Sequence, residues 1–249
     1  MGYKLKTNIA NKKNYGSSRK TSKIKYIVIH YTANDGDTDE SNAKYFKNNV
    51  VKASAHYFVD DDSVTQSVHD NYIACHCGGS RYSNYKKTGG AKFYNKCTNT
   101  NSIGIELCDT KKNGKYGFTD KTIENAVELV KDKMAQYKVP VDKVIRHFDV
   151  TGKVCPKPFV DNEKEWKAFK EKLVAKKKTT TNTNTTKYYT ACDKKHTSIV
   201  SALNSIKVNS SFSYRSKIAK KNSIKLYIGT AKQNNKMLDL LKKGKLIKV

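Results

Sequence analysis

His147 and Cys155 stand close together in the segment Arg146-His147-Phe148-Asp149-Val150-Thr151-Gly152-Lys153-Val154-Cys155-Pro156, whose glycine and proline suit a loop that turns both side chains toward one point. A third candidate ligand, His30, falls at the end of the apolar run Ile24 to Tyr31. Two imidazoles and a thiolate are suitable zinc ligands. Three protein ligands leave a fourth position open, which separates catalytic zinc from structural zinc. Spacing alone leaves a plainer alternative standing, in which the three are packed residues and not ligands.

These side chains need elements to carry them. Ile24 to Tyr31 is β-branched and aromatic on both alternating faces, as a central buried strand would be. Ser54 to Asp60 and Val64 to Val68 flank the turn residues 60–63 and predict a hairpin, and Ser102 to Cys108 predicts a further strand. On that strand Glu106 shares a face with Gly104 and Cys108, opposite Ile103, Ile105 and Leu107, so its carboxylate points away from the residues most suited to the core. Ile123, Ala126, Val127, Val130, Met134 and Tyr137 recur at helical spacing behind a Thr119-Asp120 cap, and Ser41 to Asn49 and Asn162 to Ala175 are shorter helix candidates. Helices interleaved with strands predict an α/β domain.

Residues 176–187, rich in Lys, Thr and Asn, have no apolar periodicity and are expected to be a flexible linker between a domain over 1–175 and a second over 188–249. The second holds three short amphipathic patterns, Ser198 to Ile206, Phe212 to Lys221, and Ala231 to Lys243 opened by Thr230 with Gln233 as a capping box, which predict a small, mainly helical module.

Lys and Arg number 49 against 22 Asp and Glu, a net charge of +27, so a polyanion is an expected partner. Nucleic acid and the anionic polymers of a Gram-positive wall both present such a field. Lys and Tyr interleaving at Tyr82, Tyr85, Lys86 and Lys87 favours the former, but no nucleic-acid-binding motif accompanies it. The six cysteines are expected to be mostly reduced, since a domain of this length does not need disulfide staples. The first twenty residues lack the apolar run of a signal peptide, which argues against ordinary secretion. No stretch approaches the roughly 20 apolar residues of a membrane span.

Four blocks in order resemble the type 2 amidases, the family that includes phage lysozyme-like amidases and peptidoglycan recognition proteins: Tyr26-Ile27-Val28-Ile29-His30-Tyr31-Thr32-Ala33, Ser54-Ala55-His56-Tyr57-Phe58-Val59, Ser102-Ile103-Gly104-Ile105-Glu106-Leu107, and Arg146 to Pro156. The resemblance covers roughly residues 5–175. It implies a mixed central β-sheet flanked by helices with a zinc site in a groove, Zn2+ held by His30, His147 and Cys155, and hydrolysis of the bond between N-acetylmuramic acid and L-Ala in bacterial peptidoglycan. Zinc would bring the pKa of water toward neutrality and polarise the amide carbonyl. Glu106 is then the expected proton acceptor, with a salt-bridged strand glutamate as its alternative. Lys153 is the expected oxyanion stabiliser, with a surface lysine as its alternative. His56 replaces a tyrosine of several relatives; orienting water, binding substrate and plain packing all remain open for it. His76 matches a segment that lines the substrate groove in relatives, which makes it an expected substrate contact. Its neighbours Cys75 and Cys77 are not expected to hold a second zinc, and His69 and His196 have no convergent partners.

Recognition proteins of the superfamily keep the groove but lose the metal cysteine, so a non-catalytic wall-binding module is the alternative function; the presence of Cys155 favours the enzyme. Abundant Lys and Asn hint at an AT-rich, Gram-positive host. The layout of catalytic domain, Thr/Asn linker and small domain is similar to that of phage or prophage endolysins, which are made in the host cytoplasm and released to the wall. Residues 223–231 and 233–246 resemble the tail module of clostridial wall hydrolases.

Overall fold

A computed structural model describes residues 3–175 and 188–249; the expected linker, 176–187, lies outside the described residues. The chain divides into two compact units, Met1–Lys176 and Lys177–Val249.

In chain order the first unit contains strands β1 (Leu5–Thr7), β2 (Tyr15–Ser18) and β3 (Tyr26–Tyr31), helix α1 (Asp39–Asn48), strands β4 (Tyr57–Val59), β5 (Val64–Gln66) and β6 (Tyr72–Ala74), and the single turn α2 (Tyr85–Thr88). Then come β7 (Ser102–Leu107), β8 (Thr110–Lys112), β9 (Lys115–Gly117), α3 (Asp120–Tyr137), β10 (Val144–Arg146), α4 (His147–Thr151), α5 (Lys157–Asp161) and α6 (Glu163–Val174). Six strands form one sheet in the order β1-β5-β4-β7-β3-β10, parallel throughout except for the antiparallel β4–β5 hairpin. This is the mixed sheet the resemblance implies.

Alternation along β3 and β7 divides the two faces. Ile27, Ile29, Ile103, Ile105 and Leu107 turn to one side and pack against Ala126, Leu129 and Val130 of α3 and against Phe159, Trp166 and Phe169. Such apolar burial, at roughly 25 cal/mol per Å² of surface removed from water, is what holds the layers together. Val28, His30, Gly104 and Glu106 occupy the alternate positions. On that side α1 seats Ala43 over Phe58, and Val28 packs with Cys77, Cys97, Ile145 and Val150.

The long helices and strands lie where periodicity puts them, with ends set by local chemistry. Helix α1 begins before Ser41 because Thr38 is the N-cap: its hydroxyl accepts from the Ser41 N–H and Ser41 answers to the Thr38 backbone, which brings Asp39 and Glu40 into the first turn. Thr119 caps α3 in the expected way, and the helix ends at Lys138 in the left-handed conformation, φ 54°. The β3 ladder starts at Tyr26, after a 3-10 turn over Thr21–Lys23.

In the second unit α7 (Ile199–Ser205), α8 (Phe212–Lys221) and α9 (Ala231–Lys242) are capped by Ser198, Ser211 and Thr230. They enclose a core of Ile199, Leu203, Ile218, Met237, Leu238, Leu241 and Leu246. Arg215 ties Tyr227 and Asn234 together at 2.7 and 2.9 Å.

Candidate metal centre and active site

Parallel pairing places His30 of β3 in register with Glu106 of β7, and Glu106 in register with Phe58 of β4. Registered residues on parallel strands share a face, so the imidazole and the carboxylate rise side by side. His30 Nδ1 is 3.9 Å from Glu106 Oε1. On the other flank β10 pairs with β3, and its last residue runs directly into α4, whose first residue is His147. The His30 and His147 rings meet edge to face with centroids 4.8 Å apart.

The turn after α4 returns the chain to the same point. Gly152 ends the helix at φ 86°, a conformation that favours glycine, and a Cβ there would crowd the Tyr85 Cβ at 3.3 Å. The Phe148 N–H then donates to the Cys155 carbonyl at 2.8 Å and closes the loop. Arg146 braces the whole segment: its guanidinium grips both carboxylate oxygens of Asp149, at 3.0 and 3.1 Å, and also donates to the Phe159 carbonyl and to Glu163.

The result is a buried triad. The ligand atoms of His30, His147 and Cys155 lie within 4.8 Å of one another, with Cys155 Sγ 3.7 Å from His30 Nδ1. Tetrahedral bonds of about 2.0–2.3 Å set ligand atoms roughly 3.3–3.8 Å apart, so this pair already stands at ligand spacing. His147 Nδ1 and Glu106 Oε2 are buried without a hydrogen-bond partner among the described residues. An orphaned imidazole nitrogen beside a thiol and a second imidazole fits a metal ion.

Electrostatics prepare the site in the same direction. Burial, followed by the charges of His147, His76 and Lys153, pushes the His30 pKa well down. Burial and Lys153 bring His147 to about 4, so both rings are neutral near pH 7 and keep a lone pair for a metal. Burial, then Glu106, raises Cys155 to about 12, so binding a metal must displace the thiol proton. Glu106 is pushed up to about 8 by burial, with Lys153 pulling it down and Asp37 and Asp109 pushing it further up.

These residues open into a pocket of about 330 Å³ whose lining includes His30, His76, Glu106, His147, Lys153 and Cys155. A larger concavity of about 850 Å³ between Thr21 and Lys143 is lined without a carboxylate, imidazole or thiol and offers no comparable chemistry.

Residues 20–158 match the type 2 amidase family, described as N-acetylmuramoyl-L-alanine amidase. The chain belongs to this family. It is 33% identical over 159 residues to the N-acetylmuramoyl-L-alanine amidase CwlL of Bacillus licheniformis, a match that spans 62% of this chain and 42% of that protein. It is likewise 33% identical over 156 residues to BlyA of Bacillus subtilis, spanning 61% of this chain and 42% of that one. The chain thus covers less than half the length of these relatives. Among solved structures, a mutant endolysin from Bacillus subtilis superposes with a TM-score of 0.53 at 29% identity, over 69% of this chain and 99% of that one. The catalytic domain of XlyA does so with 0.53 at 27% identity, over 68% and 99%.

Within this amidase fold five of the seven expected site residues, His30, Glu106, His147, Lys153 and Cys155, meet at one pocket. His76 lines it as well, yet both its ring nitrogens are already engaged, with His30 and with Ser102, each at 3.0 Å. His56 does not reach it. Its ring is 0% exposed; Nδ1 accepts from the Gly104 N–H at 3.0 Å, and Nε2 faces the Tyr72 carbonyl and the Arg19 guanidinium. Both ring nitrogens of His56 are thus turned to partners inside the protein and away from the pocket. The sulfurs beside His76 diverge, Cys75 joining the pocket wall and Cys77 turning inward to Asn99 and Ser102. Arg146 and Asp149 are supports that no sequence expectation assigned, although the Arg-x-x-Asp spacing at a helix start is a visible signal.

Proposed function

We propose that the protein is a zinc-dependent, endolysin-type N-acetylmuramoyl-L-alanine amidase that hydrolyses the amide between N-acetylmuramic acid and L-Ala in peptidoglycan. The observation that carries this reading is the convergence of two neutral imidazoles, a thiol, a carboxylate and an ammonium on one pocket. The donor set of His30, His147 and Cys155 suits zinc, with one position left open. Zinc held by these three residues would supply Lewis acidity to a carbonyl or water at the open position.

The chain's own residues handle protons and charge. Glu106, whose Oε2 has no hydrogen-bond partner among the described residues, takes the proton from the attacking water when ionised and returns it to the departing L-alanine nitrogen; with its carboxyl raised to about 8, that role gains as the pH rises. Lys153 is exposed on the rim of the pocket, and its ammonium is close enough to shift His30, His147 and Glu106 electrostatically. There it stabilises the oxyanion of the tetrahedral intermediate.

The excess positive charge suits the anionic polymers of a Gram-positive wall, and the helical unit over 188–249 is assigned to wall binding. No helix among the described residues is long and apolar enough to cross a membrane.

The deciding experiment digests purified Gram-positive peptidoglycan with and without a chelator and identifies the new ends by mass spectrometry. Free L-Ala amines that vanish with chelator and return with zinc are expected. Intact walls carrying bound protein would overturn the catalytic reading in favour of a recognition module, and new reducing sugars would mean a different bond is cut.

A further inference from the structure

His30 offers two ring nitrogens, and only the unprotonated one can bind a metal. Nδ1 faces Cys155 and Glu106; Nε2 lies 3.0 Å from His76 Nδ1. Which of the two carries the proton follows from the far end of a hydrogen-bond chain. Ser102 Oγ lies 2.6 Å from the Thr98 carbonyl, and a carbonyl only accepts. The serine hydroxyl therefore spends its proton on Thr98 and is left as an acceptor toward His76 Nε2, at 3.0 Å. His76 Nε2 must then donate, which makes Nδ1 the accepting nitrogen of the ring. His30 Nε2 must donate to that nitrogen, and His30 Nδ1 is left with a free lone pair on the metal side.

The sheet makes room for this chain. A Cβ on Gly104 would sit 2.5 Å from His76 Cγ, so the ring can lie across β7 only because position 104 has no side chain.

We infer that His76 is a positioning residue, seated on Gly104 and oriented by Ser102, that holds His30 in the tautomer presenting Nδ1 to the metal. This rests on the reading of His30 as a zinc ligand and replaces a substrate contact as the task of His76. Outer partners of metal-bound histidines set ring orientation and basicity, and their loss typically costs about 10–100-fold in metal affinity.

The test is zinc affinity of the full chain, measured by competition with a chromophoric chelator. His76→Leu is expected to weaken zinc binding about 10–100-fold. His76→Asn, whose Oδ1 can stand where Nδ1 accepts, is expected to recover most of it, and Ser102→Ala to fall between. A His76→Leu affinity within twofold of the unsubstituted protein, or a His76→Asn variant as weak as the leucine, would overturn the inference. A measurement that needs no variant accompanies it: long-range 1H–15N spectra of the zinc-loaded protein should show His30 protonated at Nε2, and protonation at Nδ1 would overturn it equally. Failure of the unsubstituted protein to bind zinc at all would instead bring down the metal reading on which the inference stands.

Discussion

Replacing Glu106 by glutamine keeps the shape of the side chain and removes its ability to take a proton. The volume between His30 and Phe58 is conserved, and since Oε2 has no hydrogen-bond partner among the described residues none of the hydrogen bonds seen there is sacrificed. What disappears is proton transfer, which contributes about 10²–10⁴-fold. At about 1.36 kcal/mol per tenfold in rate, that is roughly 2.7–5.5 kcal/mol added to the barrier. The carboxylate also stands 3.9 Å from His30 Nδ1, so its loss weakens zinc binding as well, and the assay must separate the two effects. Release of L-Ala amines from soluble muropeptide, followed at saturating zinc, should show kcat reduced by the full factor with KM little changed. Recovery of activity as zinc is raised to saturation, or a loss smaller than about tenfold at saturation, would refute the proton-transfer role and leave Glu106 as a tuner of the metal.

Lys153→Met should lower kcat about 10²–10³-fold in the same assay while zinc content stays stoichiometric, as expected on removing one oxyanion donor; a change confined to KM would point to substrate binding instead. Asp70 accepts from the Tyr57 hydroxyl at 2.7 Å and from Lys133 at 2.8 Å, and Asp70→Ala leaves the largely buried Lys133 ammonium with Gln136 but no counter-charge, so urea unfolding should show a loss of about 3 kcal/mol. Burial raises the Asp70 pKa, but Lys133, Tyr137 and Tyr57 together carry it below the ordinary 3.8. Its contribution is therefore fully present above that pH and is lost as the pH falls through the depressed value, and the gap between wild type and variant should close over that acid range. Removal of residues 176–249 should abolish cosedimentation with purified walls and spare hydrolysis of soluble muropeptide; unchanged sedimentation would refute the wall-binding assignment.

Spacing alone left His30, His147 and Cys155 with packing as an alternative, and it was the resemblance of four blocks in order that singled them out, whereas two-residue alternation on β7 assigns the face of Glu106 without any tertiary knowledge. Elements of six residues or more announced themselves through periodicity. Strands such as β1, β6 and β10, three residues each, are too short for any period to register, and β10 is the one that sets His147 beside His30. The two remaining histidines failed to declare their tasks for a different reason. What His56 and His76 do depends on which ring atoms are already taken by Arg19, Thr98, Ser102 and Gly104, and such partners are joined only by the completed sheet.

The two ligands His147 and Cys155 come from one short stretch, whereas the remaining one is separated from Cys155 by 125 positions. On the ribosome His30 is therefore exposed to the cell long before its co-ligands have been translated, and nothing resembling the site exists until the strand preceding His147 has docked. On the proposed reading of the triad, metal binding would follow the docking of that strand rather than guide it, since three-point ligation needs the domain already folded.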